Sequence, residues 1–521
     1  MKYREYDILF GGMNMNAKRL LALALATLML TGTLCACGET DESTDLPPSD
    51  APSTSAATET EAATEISDDL PADLNYGGDE IVILSRYREG WTSGEIAVKE
   101  LNGEPVNDAV YERNKAVEER LGVKIVSIEE PGDSAYIVSD KAALAVKSGT
   151  HEYDVLAAAC YVAVNESLNG IFADMRKNLY IDFDKPWWSQ GFNEVVEYQG
   201  AQFVGLGSAL ISQYRFAFVT LFNKDLFTDV GQPFLYDDVK NETWTLDRQI
   251  SLIPLFHKDN GNSQPDEDGD IYGLVSCDYV STDPYWSSCM VDIIKKDEQG
   301  EYTFVFDTGK LHDVGDKVLQ LFYGTGGGTY DYKMELENTE QYKIRQMFAN
   351  GNAAMATIRI LELESEVMRA MDQEFGVVPM PKYDEAQKGY RTLLHDQFTV
   401  VGILTTVQEE RFDEVGAVLE AMSSISYKTV RPAYYETNLR TKIAKDPESA
   451  EMFNIIIDNI YIDAGIIYTK ALETFHNTFR EIIGSGQNTV TSDYKRVTAK
   501  AEKALRTMVG RLGRVIDGKI K

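Results

Sequence analysis

From residue 81 onward, short and wholly apolar runs alternate with segments whose apolar residues recur at helical spacing. Ile81-Val82-Ile83-Leu84 is apolar at every position, as a strand covered on both faces of its sheet must be. Asn107 or Asp108 opens a helix with apolar Val106, Val110, Val117 and Leu121 at helical spacing, and Gly122 is placed to close it. Residues 123–128 read as the next strand, residues 139–147 as a second helix, and Tyr153-Asp154-Val155-Leu156 starts a third strand. Strands and helices in this order predict a largely parallel sheet, with function in the loops that follow the strands' C-terminal ends. The pattern continues. Residues 216–222, 353–358, 375–378 and 398–404 read as strands, and Thr245 is the predicted N-cap of a helix opened by Trp244-Thr245-Leu246-Asp247. Beyond about Glu409 the chain is mainly helical, and its last helix sets Val497, Ala501, Leu505 and Met508 on one face. Roughly 445 residues follow Tyr76, more than one ordinary core accommodates, so two lobes are expected.

The N-terminal part has a different grammar. Lys18 and Arg19 precede an apolar run over residues 20–30, which ends in Thr31-Gly32-Thr33 and Leu34-Cys35-Ala36-Cys37-Gly38. A positive start, a short apolar core and small residues at the exit describe a secretory signal. The run falls short of the about 20 residues a spanning helix needs. Its Leu-x-Ala-Cys ending resembles the lipobox of bacterial lipoproteins, which implies that Cys37 is lipidated and becomes the mature N-terminus. Residues 1–36 are thus read as the signal, with translation starting at Met13 or Met15 as an alternative to Met1. Residues 38–73 are rich in Ser, Thr, Ala, Pro, Asp and Glu and contain no Lys or Arg. Such a stretch buries too little to offset the entropy of ordering, so residues 37–76 are expected to form a lipidated, disordered acidic linker.

Charge and motifs exclude several functions. The chain has 50 Lys and Arg against 83 Asp and Glu, a net charge of −33. No basic stripe suited to a phosphate backbone accompanies it, so no nucleic-acid partner is expected. The five histidines, at 151, 257, 312, 395 and 476, are too dispersed for a local zinc pattern. Gly324-Thr325-Gly326-Gly327-Gly328 lacks the Lys-Ser/Thr of a phosphate loop, and Asp266-Glu267-Asp268-Gly269-Asp270 lacks the turn glycine and terminal Glu of a calcium loop. There is no Gly-x-Ser-x-Gly elbow. No metal, cofactor or catalytic residue is expected. Besides Cys37, the mature chain would keep Cys160, Cys277 and Cys289, of which Cys277 and Cys289 are candidates for a disulfide.

Five stretches carry a resemblance. They are Leu221-Phe222-Asn223-Lys224-Asp225-Leu226-Phe227, Trp244-Thr245-Leu246-Asp247, Phe348-Ala349-Asn350-Gly351-Asn352-Ala353-Ala354-Met355, Gly376-Val377-Val378-Pro379-Met380-Pro381 and Ala444-Lys445-Asp446-Pro447-Glu448. In this order, over most of residues 78–480, the chain resembles bacterial extracellular solute-binding proteins of the family-one, maltose-binding type. The resemblance implies an α/β, two-lobed periplasmic-binding-protein-like type II fold, with a ligand cleft between the lobes and a helical C-terminal third. Lobe 1 would comprise residues 77–213 and 376–408, lobe 2 residues 214–375, and the helical region 409–521 would pack across both. The implied function is a lipid-anchored, monomeric, non-enzymatic protein on the extracellular face of the cell membrane. It would capture a small solute, a mono- or oligosaccharide, and deliver it to the permease subunits of an ABC transporter.

Sugars offer hydroxyls and flat apolar faces, so the candidate residues pair aromatic rings with charged groups. Asp283-Pro284-Tyr285-Trp286 resembles an acidic-Pro-Tyr-aromatic stretch that lines the cleft in the maltose-binding type, which makes Asp283, Tyr285 and Trp286 ligand candidates. Arg359 and Glu362 follow the strand predicted over residues 353–358. Trp91 lies in the loop after the first strand, Tyr161 after the third, and Tyr214 and Arg215 at the first crossover. His395-Asp396-Gln397 and Tyr434-Tyr435-Glu436 are hinge or cleft candidates, while Trp187-Trp188 is expected to anchor a loop in the core. Two alternatives stay open at this level. One is a secreted glycoside hydrolase, which also combines aromatics with paired carboxylates; the other is a solute-sensing binding protein uncoupled from import.

Overall fold

A computed structural model describes residues 67–520 except 133, 263, 266–268, 278, 332–339 and 445. The predicted signal, Cys37 and most of the linker lie outside the described residues, as do part of the acidic loop at 266–270 and Lys445.

In chain order, β1 (Asp79–Tyr87), β2 (Val123–Pro131) and β3 (Val155–Ala159) precede β4 (Phe218–Asn223) and β5 (Tyr272–Ser276). A hairpin of β6 (Ile294–Lys296) and β7 (Tyr302–Phe304) follows, then β8 (Thr329–Asp331), β9 (Ala353–Arg359) and β10 (Phe375–Val378). Two-residue β11 (Thr392–Leu393), β12 (Thr399–Ile403) and two-residue β13 (Ile460–Tyr461) complete the set. The first sheet has the order β12-β3-β1-β2. Its β1, β2 and β3 are parallel, and β12 returns antiparallel beside β3. The second sheet has the order β10-β4-β9-β5-β8; β5 runs parallel to β8 and β9, while β4 is antiparallel to both its neighbours. Burial explains the apolar runs: every residue of β3, β4, β5, β9 and β10 is buried. Helix Leu246–Phe256 packs so closely on β5 that a Cβ on Gly273 would lie 2.1 Å from the Ile253 carbonyl oxygen.

The local signals act largely as read. Gly122 closes helix Pro105–Leu121 at φ 61°, and Thr245 caps helix Leu246–Phe256 by accepting from the Arg248 N–H at 3.2 Å. The first of these helices begins at Pro105, ahead of the predicted Asn107 or Asp108, because proline fits the first helical turn. Beyond residue 409 the long helices are Glu409–Lys428, Pro447–Asp458 and the 27-residue Val490–Ile516. Among the described residues, no helix is long and apolar enough to cross a membrane.

Two expectations need correction, and the open question of a disulfide is answered. The strand at 375–378 hydrogen-bonds to β4, from Phe375 opposite Asn223 to Val378 opposite Thr220. Residues 376–378 therefore belong with the second sheet rather than the first. The end of the predicted linker packs on the folded part: Leu70 is buried, Arg120 pairs with Asp68 at 2.6 Å, and the Tyr76 N–H donates to the Leu121 carbonyl at 2.8 Å. Cys277 and Cys289 are separate buried thiols, as is Cys160.

The two sheets are joined by chain crossings that lie side by side. Ala217 bridges Leu394 in antiparallel fashion, and the His395 N–H donates to the Phe216 carbonyl at 3.0 Å. Thr392 and Leu393 pair in parallel with Ile460 and Tyr461. Trp187 and Trp188 anchor a loop of the first lobe in the core, as expected. Their indole N–H groups donate to the two carboxylate oxygens of Glu420, each at 2.8 Å, so one buried side chain from helix Glu409–Lys428 satisfies both rings. Burial raises the Glu420 pKa from 4.5 to about 7. Glu420→Leu strands two buried donors and should lower the unfolding free energy by roughly 2–5 kcal/mol in urea titration. In the parent, a pKa raised on folding means that the native state holds the proton more tightly. The Glu420 contribution to stability should therefore decline as pH rises from 4.5 to 7 and be absent from the slope of the Leu variant.

Candidate functional site

The C-terminal ends of the parallel strands of both sheets meet the crossing segment at residues 394–398. From the first sheet, β1 ends at Tyr87 and leads to Arg88 and Trp91, while helix Cys160–Ser167 starts directly after β3. The Cys160 N–H donates to the Phe398 carbonyl at 2.8 Å and the Tyr161 N–H to the Asp396 carbonyl at 3.2 Å, which fixes the start of that helix against the crossing. Arg86, buried in β1, donates to the Gln397 side-chain oxygen at 3.0 Å. From the second sheet, β9 ends on Arg359, which is 1 % exposed.

Arg359 joins the two halves of the site. One guanidinium nitrogen donates to Glu362 at 2.9 Å and another to His395 Nδ1 at 2.9 Å. Arg345 holds the other Glu362 oxygen at 2.8 Å. The Trp91 ring lies against two guanidinium groups, with Arg88 at 3.4 Å and Arg359 at 4.5 Å from its centroid, and meets Phe216 edge-on at 5.3 Å. Burial, followed by the positive charges of Arg359, Arg480, Arg88 and Arg86, holds the His395 pKa well below its ordinary value. The ring is therefore neutral and accepts at Nδ1. Burial also pushes the neighbouring Asp396 carboxyl up to about 7.

A second ion pair closes the site from the C-terminal part. Asp283 receives the Arg480 Nε–H at 3.0 Å and a terminal N–H of the same guanidinium; Arg480 also lies 4.6 Å from the centre of the Tyr279 ring. Beside it, burial and the Arg480 charge lower the His476 pKa to about 4. Tyr161 meets Tyr136 edge-on at 5.9 Å, and Lys470 lies 5.2 Å from the Tyr136 ring centre.

The structure thus gathers Trp91, Tyr161, Asp283, Arg359 and Glu362 around the crossing, together with His395, Asp396 and Gln397. Arg215 and Tyr214 take a different position, at the first chain crossing. Arg215 pairs with Glu364 at 3.1 Å, the Tyr434 hydroxyl donates to Glu364 at 2.7 Å, and the Tyr214 and Tyr434 rings stack at 6.0 Å. Tyr285 and Trp286 require correction as cleft-facing aromatics. Tyr285 is fully buried inside the second lobe, with its hydroxyl 2.6 Å from Thr357 Oγ1, and Trp286 is 2 % exposed. Helix Asp283–Ser288 sends Tyr285 to the side opposite Asp283, whose carboxylate reaches Arg480. Arg480, His476 and Tyr279 carry no sequence signal that marks them as site residues. Arg480 lies 197 residues from its partner Asp283, and nothing in its local pattern signals the contact.

A hollow of about 610 Å³ lies elsewhere, walled by residues 186–195, the β6–β7 hairpin and residues 457–464. Of the predicted ligand residues only Tyr214 lines it. Arg431 is the one guanidinium group among its lining residues, and no histidine lines it.

No protein-family model matches the chain, and no curated protein matches it. Solved structures do. An ABC solute-binding protein from Thermotoga lettingae bound with α-D-tagatose matches at a TM-score of 0.53 and 13 % identity, over 82 % of this chain and 100 % of that one. An ABC substrate-binding protein from Listeria monocytogenes in complex with cycloalternan matches at 0.51 and 13 % identity, over 84 % of this chain and 99 % of the other. The maltose/maltodextrin-binding domain of Bdellovibrio bacteriovorus bound to maltotriose matches at 0.51 and 13 % identity, over 84 % and 100 %. This chain has the two-lobed α/β fold of solute-binding proteins of the maltose-binding type. At this identity the likeness concerns the fold, and the chemistry of the cleft has to be argued from its own residues.

The Asp283–Arg480 pair allows such an argument to be tested. Arg480→Met leaves the Asp283 carboxylate buried without its partner and should cost about 3–5 kcal/mol of unfolding free energy. Adding Asp283→Asn should recover a large part of that loss. A double-mutant cycle by urea denaturation reads the coupling, and additive losses would show that the pair does not hold the site together.

Proposed function

We propose that the protein captures a carbohydrate between its two lobes and delivers it to the permease subunits of an ABC importer. The observation that carries this reading is the convergence of aromatic rings, guanidinium groups and carboxylates from both lobes on one crossing segment, at the C-terminal ends of parallel strands. Ligands bind there in open α/β sheets. Trp91 and Tyr161 supply flat apolar faces, and the buried Arg359–Glu362 and Asp283–Arg480 pairs behind them fix the charge of the cleft wall. The structural neighbours that hold tagatose, cycloalternan and maltotriose support a sugar or oligosaccharide as the solute. Arg215 and Tyr214 act at the hinge between lobes 77–213 and 214–375, with residues 376–378 moved to the latter.

Lobe closure around the ligand follows from three crossings that share one hinge. Calorimetry against a panel of neutral and acidic sugars, with product analysis, should show binding without turnover. The bound protein should have a smaller radius of gyration in solution scattering and a raised melting temperature. Trp91→Ala should weaken binding by about 1–3 kcal/mol, by analogy with stacking of aromatic side chains on bases, at little cost in stability. Trp286→Ala should show the reverse, a loss of about 3–5 kcal/mol in stability typical of emptying a core aromatic site. A saturating sugar that leaves the scattering curve unchanged, or that is hydrolysed, would sink the reading.

In the cell, we place the protein on the extracellular face of the membrane, anchored by lipid on Cys37. Cys37→Ala should release it into the medium or leave the precursor unprocessed, as read by fractionation and mass. A processed protein that stays membrane-bound would contradict the anchor.

A further inference from the structure

The charge of this chain is unevenly distributed. Helix Val490–Ile516 carries seven Lys and Arg and two Asp and Glu, a net +5 in a chain of −33, so the rest carries −38. Advancing about 100° per residue, its buried residues Ala501, Leu505, Met508 and Leu512 fall on one side, against the protein. Lys495, Lys503, Arg506 and Arg514 fall on the other side, and all four are exposed. The cations run from residue 495 to 514, about 28 Å along the axis at the helical rise. Neither carboxylate on the helix interrupts this face: Asp493 pairs with Arg496 at its first turn, and Glu502 is partly buried at its margin.

Neighbouring segments extend the surface. A hollow of about 420 Å³ opens beside the helix, rimmed by Lys470, Lys500, Lys503 and Arg511. Glu473, paired with Lys500 at 3.0 Å, is the one carboxylate on its wall. Arg511 is held in place by donating to the Leu168 carbonyl and to the Asn169 side-chain oxygen. An ordinary solvated helix face mixes signs, and in this chain acidic residues would be the expected majority. A face that is cationic for most of the helix's length, with a hollow large enough for a polar headgroup, has the chemistry of a polyanion contact.

We propose that the exposed basic face of helix Val490–Ile516, with the hollow beside it, docks the protein onto a bilayer containing anionic phospholipid. A bilayer fits better than a single small anion because the cations spread over a length far greater than one phosphate. The strongly acidic remainder of the chain is repelled by the same surface, so this face is the one that can approach it. The contact orients the folded part without inserting it, since the apolar side of the helix is already occupied. It stands apart from the sugar-binding reading and from lipidation.

The test uses the full chain carrying Cys37→Ala, so that no acyl group contributes. It measures cosedimentation with phosphatidylcholine vesicles with and without phosphatidylglycerol. Binding should require phosphatidylglycerol and disappear at high salt. Combining Lys503→Glu, Arg506→Glu and Arg514→Glu should weaken it by at least about 10-fold, since each cation near an anionic surface adds substantially to affinity. The same positions changed to Gln should give an intermediate loss. All three side chains are exposed, so the melting temperature should stay unchanged and a folding defect would be recognised there. The apolar run at residues 20–30 is common to every variant, so differences between variants report this face alone. Equal binding to both kinds of vesicle, binding that survives charge reversal, or no binding at low salt would each overturn the proposal. The last result would leave the face to an acidic protein partner.

Discussion

The backbone pairing of the chain crossings is what the rest of the molecule depends on. Phe216 and Ala217 lie beside Leu394 and His395, and the Thr392–Leu393 segment lies beside Ile460–Tyr461. Each crossing would be a flexible link if it stood alone. Bonded together they form a narrow ribbon between the two sheets, and under the proposed function this ribbon is the axis of lobe closure. The same backbone carries the site. His395, Asp396 and Gln397 occupy the stretch between β11 and β12, and Phe216 and the bridged Ala217 directly precede β4. Under the proposed closure, a rotation at the ribbon would change the distance between Trp91 on one lobe and Arg359 on the other while each stays on its own sheet. The Arg215–Glu364–Tyr434 contact sits at this ribbon and couples the first crossing to both the turn after β9 and the C-terminal helical region.

Charge placement within the site follows from burial. Arg359, Arg480, Glu362 and Asp283 are each at least nine-tenths buried, and such ions are tolerated only in pairs. The pairs hold their donors in fixed directions before any ligand arrives, which lowers the ordering cost of binding. They also set the state of the ring between them: with four guanidinium groups nearby, His395 stays neutral and its Nδ1 receives the Arg359 N–H. Loss of one partner would expose an uncompensated charge rather than merely remove a contact.

Much of this architecture is legible in the sequence because its determinants are local. Ile81-Val82-Ile83-Leu84 announces a central strand, Gly122 and Thr245 mark helix ends through backbone geometry and one side-chain bond, and Trp187-Trp188 reads as core. The position of a strand in a sheet is not local. Phe375–Val378 has the same apolar character as residues 399–403, yet one pairs with β4 and the other with β3. Only the register of long-range bonds separates them. The site divides in the same way: Arg359, Trp91 and Tyr161 were found because they follow strand ends, a rule that needs only the order of elements. Arg480 and His476 follow no strand and reach the cleft through the packing of the C-terminal region, so no pattern near residue 480 reveals them.

The contrast between Trp91 and Trp286 shows where composition misleads. Asp283-Pro284-Tyr285-Trp286 holds the richest local mixture of aromatic and acidic groups, and composition alone favours it as a platform. A helix directs neighbouring side chains about 100° apart, so Tyr285, two residues on from Asp283, points to the opposite side. Asp283 takes the direction of Arg480, whereas Tyr285 points into the second lobe and bonds Thr357. Trp91 sits between Gly90 and Thr92, with Tyr87, Arg88 and Glu89 just before it. It lies four residues beyond the end of a parallel strand, on the lip where the two lobes meet, and there it is only partly covered. For an aromatic residue in this fold, distance from a strand's C-terminal end is the better guide to ligand contact than the chemistry of adjacent residues. The physical reason is that the sheet fixes where the cleft lies, while a helix can turn any one member of a cluster away from it.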